Sequence, residues 1–182
     1  IIISEKIYNE SEKQCPVINV PVVNYSRTGL PPDTITTYYV TDADTLFINN
    51  VEYRLINVNS PEMNHKWYEY GKSVLNQIME SAKSNNRRFY AHEYNTDIYN
   101  RTVADILIEV GVDNWLSLSQ VVVRLGLAKI HYVDESYEYM KQLQQAEAYA
   151  IRDNLRIWNI HGVDIKYDGF PTDIVFTNVE EG

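Results

Sequence analysis

One β-rich stretch of this sequence begins with a basic side chain and ends with an acidic one. The stretch RLINVNSPE puts Arg54 before a β-branched run and Glu62 at its end. Side chains on one face of a strand recur every two residues, so a spacing of eight places both on one face if the strand continues that far. From these two residues alone, a structural ion pair is the first interpretation. Joint action on a substrate is the second.

Carboxylate and amide oxygens lie close to this stretch in the sequence. The segment TDADT carries Asp42 and Asp44 on alternate positions, and NVNSPE offers Asn59 beside Glu62. Oxygen donors that converge from two strands suit Ca²⁺ or Mg²⁺ better than a transition metal. The sequence therefore predicts an oxygen-lined cation site next to the strand that carries Arg54.

A second arginine, Arg101, follows the turn-forming sequence DIYN, and Asp97 and Tyr99 come just before it. Guanidinium groups and a metal ion stabilise negative charge on phosphoryl oxygens. A carboxylate such as Glu62 orients or deprotonates an attacking water. These residue types together form the set that phosphodiester hydrolysis needs.

Hydrophobic periodicity predicts the elements that position these residues. Strands are predicted in TYYVTDADTLFI, VEYRLINV, RRFYAHEY, RTVADILIEVG and AKIHYV. Helices are predicted in YGKSVLNQIMESAKS, NWLSLSQVVVRLG and SYEYMKQLQQAEAYAIRDN, and Gly126 suits the left-handed position after the second. The order β-β-α-β-β-α-β-α is typical of an α+β domain with a mainly antiparallel sheet, and five short strands are enough for a small barrel.

Composition predicts one folded domain with an extension on each side. The chain has 182 residues, of which 45% are hydrophobic, enough for a single core. Residues 1–37 hold four prolines and no sustained periodicity, which indicates an extended arm or linker. Residues 38–158 form the predicted domain. Residues 159–182 form an acidic extension with one basic and five acidic residues.

Several classes of protein are disfavoured by the same composition. The net charge of -9 counts against general nucleic-acid affinity, because such binding depends mainly on Lys and Arg that neutralise phosphates. Any positive pocket is therefore expected to be small and local. No apolar run is long enough to cross a bilayer, so no membrane partner is expected. The lone Cys15 cannot form an intrachain disulfide.

Six motifs in order resemble the staphylococcal nuclease (thermonuclease) family over roughly residues 39–158. They are DADTLFI, YRLINVNSPE, YEYGKSVL, DIYNRTVADILI, VVRLGLAKIHYV and EAYAIRDNLRIW. The resemblance implies a five-stranded OB-type β-barrel with three α-helices. It also implies Ca²⁺-dependent hydrolysis of DNA and RNA that leaves 3′-phosphates.

The resemblance also implies roles for individual residues. The family's catalytic positions match Arg54, Glu62 and Arg101. Its nucleotide pocket corresponds to Tyr99 and Tyr132, although Asp134 stands where a further pocket tyrosine is expected. An acid at that position is expected to repel a terminal phosphate.

The calcium-binding positions of the family fall on Asp44, Asn59 and the backbone carbonyl of Ser60. Asn59 replaces an expected aspartate and carries no full charge, so the cation site is expected to be weakened. Ala43 and Asn100 stand at glycine positions of the family, and asparagine tolerates a positive φ better than alanine does.

Two functions stay open from the sequence. The first is metal-dependent hydrolysis of single-stranded DNA or RNA, with Ca²⁺ as the expected cation. The alternative is a catalytically weak or inactive nuclease-like barrel that serves as a structural, assembly or binding module in a larger complex, such as a virion-type assembly. Residues 1–37 and 159–182 would then contact a protein partner. A hydrolase of another substrate is a third reading.

Overall fold

The described part of the chain is an α+β structure. A computed structural model describes residues 2–5, 17–19, 31–112, 114–131, 134–159 and 174–177. It contains three α-helices and a curled main sheet, which confirms the predicted fold class. The helices are α1 (Tyr68–Ser84), α2 (Leu118–Arg124) and α3 (Met140–Arg152), followed by a 3₁₀ turn (Arg156–Trp158). None of these described helices is both long and apolar enough to cross a membrane.

The described residues form twelve strands. In chain order they are β1 (Ile2–Glu5), β2 (Val17–Asn19), β3 (Asp33–Thr34), β4 (Tyr38–Asp42), β5 (Thr45–Ile48), β6 (Val51–Leu55), β7 (Val58–Asn59), β8 (Arg88–Thr96), β9 (Thr102–Gly111), β10 (Asn114–Ser117), β11 (Lys129–Ile130) and β12 (Ile174–Thr177). The main sheet has the order β3-β8-β9-β6-β5-β4, and β10 also pairs with β9. Strand β7 pairs with β11 in a small second sheet, and β1, β2 and β12 form a third.

One parallel pairing positions the predicted site. Strand β6 runs parallel to β9, with Arg54 opposite Val103. On its other side β6 is antiparallel to β5, with Arg54 opposite Thr45. The strand that carries Arg54 therefore lies between the strand that begins at Thr45 and the strand that follows Arg101.

Helix α1 covers the sheet with the apolar stripe that the sequence predicts. Val74, Leu75, Ile78, Met79 and Ala82 are all buried in the core. Burial of a large apolar side chain stabilises the fold by about 1.5–3 kcal/mol relative to its exposed state. This face of α1 thus helps to fix the strands that carry the site.

Two predicted strands are shorter than the sequence indicates. The run TYYVTDADTLFI is broken by a turn between β4 and β5, in which the Asp44 amide donates to Asp42 Oδ1 at 3.2 Å. Strand β6 ends at Leu55, and Asn57 has a φ of 56°. The condition under which Arg54 and Glu62 would share one strand face is therefore not met, because a left-handed residue interrupts the strand.

The start of the second predicted helix is also wrong. Asn114–Ser117 forms strand β10, and α2 begins only at Leu118. The side chain of Ser117 accepts a hydrogen bond from the Gln120 amide, which makes it the helix N-cap. The apolar residues Trp115 and Leu116, which precede this cap, are buried as part of strand β10.

The two predicted extensions are described only in part. Within residues 1–37, Asp33 and Thr34 pair with Phe89 and Arg88 of β8, and Ile35 is buried in the core. Strand β12 of residues 159–182 pairs with β1, where Ile2 lies opposite Thr177. Cys15 lies outside the described residues. The predicted domain boundaries stay a prediction.

Substitution of Gly126 tests the close contact between the end of α2 and the segment that follows α3. Its φ is +71°, as the sequence predicts, and a Cβ atom at this position would lie 2.5 Å from the carbonyl oxygen of Leu155. Gly126→Ala should therefore lower the free energy of unfolding by at least about 2 kcal/mol, measured by urea denaturation. Asn86→Gly, at an exposed residue with a φ of 53°, is the control and should change it by less than about 0.5 kcal/mol. Equal stability of Gly126→Ala and wild type would contradict the packing described.

Candidate active site

The turn between β4 and β5 buries the carboxylate of Asp44, which is only 6% exposed. Its Oδ1 accepts a hydrogen bond from Thr45 Oγ1 at 2.8 Å. Its Oδ2 accepts from the Ser60 amide at 2.7 Å and from Ser60 Oγ at 3.0 Å. A single carboxylate thus joins this turn to the segment that follows β7.

The guanidinium of Arg54 contacts two of the predicted cation ligands. Nη1 lies 3.4 Å from Asp44 Oδ2, and Nη2 donates to Asn59 Oδ1 at 3.2 Å. Nη1 also donates to the carbonyl oxygens of Asp44 at 3.3 Å and Leu55 at 3.4 Å. The Arg54 side chain is 14% exposed, so these contacts are partly shielded from water.

Asp97 organises the loop that presents Arg101. Its Oδ1 accepts from the amides of Tyr99 at 3.0 Å and Arg101 at 2.9 Å, and its Oδ2 accepts from Arg101 Nε at 2.8 Å. Asn100 has a φ of 63°, which an asparagine accepts at low cost. The guanidinium carbon of Arg101 lies 5.2 Å from the centre of the Tyr99 ring.

The hydroxyl of Thr45 connects the two arginines. It accepts from Arg101 Nη1 at 3.4 Å and donates to Asp44, which in turn faces Arg54. We call the connected set the arginine cluster; it consists of Asp44, Thr45, Arg54, Asn59, Ser60, Asp97 and Arg101. Of the catalytic and calcium-binding residues that the family resemblance implies, all except Glu62 belong to it.

The remaining predicted residues are exposed or outside the described part. Glu62 is exposed, and among the described residues its carboxylate has no hydrogen-bond or ion-pair partner. Tyr99 is 73% exposed at the tip of its loop. Tyr132 lies outside the described residues. The carboxylate of Asp134 accepts from the amide and hydroxyl of Ser136, so it is engaged within its own loop.

The two aspartates of the β4–β5 turn differ in charge near neutral pH. Burial and the hydrogen bond to Asp44 raise the pKa of Asp42 to about 7. Burial also acts to raise the pKa of Asp44, but the hydrogen bond with Asp42, the charge of Arg54 and the Ser60 amide lower it overall. Asp44 therefore carries the fixed negative charge of the pair.

The family follows from a comparison with protein-family models. The model described as staphylococcal nuclease homologue matches residues 52–160, more than half of the chain. The chain belongs to the staphylococcal nuclease family. Comparison with curated proteins gives no match. The match includes Arg54, Asn59, Ser60, Glu62 and Arg101, so most of the arginine cluster lies inside the nuclease-like domain.

The predicted cation site consists of oxygen donors with a single carboxylate among them. Asp44, the Asn59 amide oxygen and the Ser60 carbonyl are hard oxygen donors, which Ca²⁺ and Mg²⁺ prefer. They supply one full negative charge, because Asn59 is neutral. Among the described residues, no group of three or more His, Cys, Asp or Glu side chains is placed to hold a metal ion. By their chemistry the donors suit a hard cation, and with a single carboxylate among them they would hold it only weakly.

The two residues that the resemblance sets at glycine positions, Ala43 and Asn100, differ in backbone conformation. Asn100 keeps the positive φ that a glycine would have. Ala43 is not among the described residues with positive φ, so its side chain causes no strain of that kind. A Cβ atom placed on Gly71 would lie only 3.1 Å from the Cβ of Ala43, so the missing side chain of Gly71 leaves room for Ala43.

Asn57 is a buried bridging residue that was not among those predicted from the sequence. It is 1% exposed and joins β6 to β7. Its Nδ2 donates to the Asp134 carbonyl at 2.8 Å, its Oδ1 accepts from the Asp134 amide at 2.9 Å, and its carbonyl accepts from the His131 amide at 2.8 Å. The sequence does contain a signal for this conformation, because an asparagine among β-branched residues is the one residue there that readily adopts a left-handed φ.

A separate cleft lies away from the arginine cluster. It has a volume of about 480 Å³ and is lined by residues 85–88 and 109–112. The bidentate pair between Arg88 and Glu109 lies in this lining. None of the predicted catalytic or cation-binding residues lines it.

Substitution of Asn57 tests its bridging role. Asn57→Gly keeps the left-handed backbone but removes both hydrogen bonds to Asp134, so the free energy of unfolding should fall by about 1–3 kcal/mol. Asn57→Ala should be less stable than Asn57→Gly by about a further 1 kcal/mol, because alanine disfavours this φ. Urea denaturation measures both. An Asn57→Ala protein more stable than Asn57→Gly would contradict the described backbone.

The Asp97 carboxylate should make stability depend on pH. Burial acts to raise its pKa, but hydrogen bonds and charge from Arg101 and the Tyr99 amide lower it overall. A lowered pKa stabilises the fold above the unfolded-state value of roughly 3.9, and this stabilisation is lost as the pH falls through the folded-state value. Asp97→Asn should therefore cost about 1 kcal/mol at pH 7 and progressively less below pH 4.

Urea denaturation between pH 3 and pH 7 measures this dependence. Glu135→Gln is the matched control, because it also removes one carboxylate. Glu135 is exposed, and within the described residues its carboxylate accepts no hydrogen bond. This variant should follow wild type throughout. A difference between Asp97→Asn and wild type that grows on acidification would show that the carboxylate is not stabilised by its neighbours.

Proposed function

We propose that this chain hydrolyses phosphodiester bonds of single-stranded DNA or RNA at the arginine cluster, with the help of a divalent cation. Membership of the staphylococcal nuclease family supports a nuclease-like function at a coarse level. The observation that carries the proposal is the hydrogen-bonded connection of Arg54 and Arg101 through Asp44 and Thr45. Two cationic forks held in one cluster suit the oxygens of a phosphodiester.

Each arginine pairs with a carboxylate, and Arg101 retains a donor for a substrate. Asp97 fixes Arg101 through Nε, and within the described residues Nη2 of Arg101 has no hydrogen bond. Arg54 is held by Asp44 on the neighbouring turn. Both groups would bind phosphoryl oxygens and stabilise the charge that develops on them during attack.

Glu62 is the proposed general base. Its carboxylate is exposed and has no competing partner in the described part of the chain, so it can accept a proton from water. Asp44, Asn59 and the Ser60 carbonyl would hold the cation, with Ca²⁺ as the proposed ion. A bound cation would supply additional stabilisation of negative charge on the phosphoryl group.

A second candidate function is a binding or assembly module without activity. The net charge of -9 and the carboxylate partner of each arginine favour it, because both reduce the positive potential available to nucleic acid. The pairing of β1 with β2 and β12 also shows that residues of both predicted extensions meet in one sheet. A protein partner would then contact this chain through residues 1–37 and 159–182.

Cleavage of a fluorescent single-stranded DNA in Ca²⁺, Mg²⁺ or EDTA distinguishes the two functions. The proposed hydrolase should cut only with a divalent cation. Glu62→Gln should slow cleavage by roughly 10²–10⁴-fold, because the general base is lost. Arg54→Ala should slow it by roughly 10²–10³-fold, because one charge-stabilising group is lost.

Glu109→Gln is the matched control for the loss of one glutamate carboxylate. Glu109 lines the separate cleft, where it pairs with Arg88, so its removal should leave the cleavage rate unchanged. Wild-type protein that is folded but cuts neither DNA nor RNA in any cation would refute the hydrolase and favour the assembly module. Equal loss of rate in Glu62→Gln and Glu109→Gln would refute the role given to Glu62.

A further inference from the structure

Arg54 occupies the oxygens that a divalent cation at the proposed site would need. Nη2 lies 3.2 Å from Asn59 Oδ1, and Nη1 lies 3.4 Å from Asp44 Oδ2. These are the two side chains that the proposed function assigns to the cation. One guanidinium group therefore contacts both of the side chains that would hold the cation.

The oxygens of Asp44 have little capacity left for a further partner. Oδ1 already accepts from Thr45, and Oδ2 accepts from the amide and hydroxyl of Ser60 as well as facing Arg54. Asn59 adds an oxygen but no charge. With Arg54 in place, a divalent cation would meet one negative charge that is already balanced and one positive charge a few ångströms away, which repels it.

We propose that Arg54 is an internal competitor of the divalent cation. In the substrate-free protein it holds Asp44 and Asn59, and a substrate phosphate that draws its guanidinium away raises the affinity of the site for the cation. Binding free energies are reciprocal, so a bound cation raises the affinity for the phosphate by the same factor. The inference rests on the proposed assignment of Asp44, Asn59 and Ser60 as cation ligands, and it makes binding of substrate and cation cooperative.

The direction in which one substitution changes the Ca²⁺ affinity distinguishes a competing Arg54 from a purely structural one. A purely structural Arg54 would keep Asp44 in place, so its removal would weaken cation binding. A competing Arg54 blocks the ligands, so its removal strengthens cation binding. Arg54→Gln should therefore bind Ca²⁺ at least tenfold more tightly than wild type, measured by isothermal titration without nucleic acid.

Arg88→Gln is the matched control for the loss of one positive charge. Arg88 begins β8, and the Asp97 loop follows the other end of this nine-residue strand, roughly 30 Å away. Its pairing with Glu109 lies outside the arginine cluster. Arg88→Gln should change the Ca²⁺ affinity less than twofold. An affinity of Arg54→Gln no higher than that of Arg88→Gln would overturn the proposal.

A second measurement tests the cooperative part on the unaltered protein. A short single-stranded oligonucleotide with non-hydrolysable linkages should raise the Ca²⁺ affinity of wild type at least fivefold. In Arg54→Gln the same oligonucleotide should produce no such gain, because the competitor is already gone. An equal gain in both proteins would overturn the proposal. No gain in Ca²⁺ affinity in wild type would also overturn it, so the measurement remains decisive even if Arg54→Gln folds poorly.

These titrations separate the inference from the proposed function. Neither requires cleavage, so tight Ca²⁺ binding by Arg54→Gln with no cleavage by wild type would refute only the hydrolase. Cleavage by wild type with unchanged Ca²⁺ affinity in Arg54→Gln would refute only the competition. Absence of Ca²⁺ binding in wild type, Arg54→Gln and Asn59→Asp would refute the cation assignment and the competition together.

Discussion

The site depends on how the buried carboxylate of Asp44 is compensated by its neighbours. An ionised group in the interior is tolerated only when hydrogen bonds and an opposite charge replace its lost hydration. Here the compensating groups come from Thr45 on β5, Arg54 on β6 and Ser60 after β7. Satisfying this carboxylate therefore brings together β5, β6 and the residue after β7, and the hydroxyl of Thr45 links them to Arg101.

The acids that hold the arginines also limit how far their charge extends. Asp44 and Asp97 fix Arg54 and Arg101 at short range, and the protein as a whole is acidic. Under the proposed hydrolase function, a nucleic acid would thus be bound through local contacts at the cluster rather than through long-range attraction, which normally accelerates association. This balance is the physical difference between the two candidate functions, because a module that binds protein needs no such contacts.

Local signals in the sequence predicted the parts of the fold that depend on local physics. The apolar stripe of α1 and the left-handed Gly126 follow from periodicity and backbone conformation. The break at Asn57 was missed, because an asparagine between β-branched residues also fits a strand. The hydroxyl bridge of Thr45 and the contact of Arg54 with Asn59 depend on strand register and side-chain orientation, which only the assembled sheet determines.

The parallel pairing of β6 with β9 has a consequence for how the chain folds. Arg54 lies opposite Val103, so roughly fifty residues, including all of α1, separate two neighbours in the sheet. Closing a loop of this length costs chain entropy before any contact across it forms. The arginine cluster is therefore a property of the complete topology. A peptide that carries either arginine motif alone lacks the neighbouring strand on which the geometry depends.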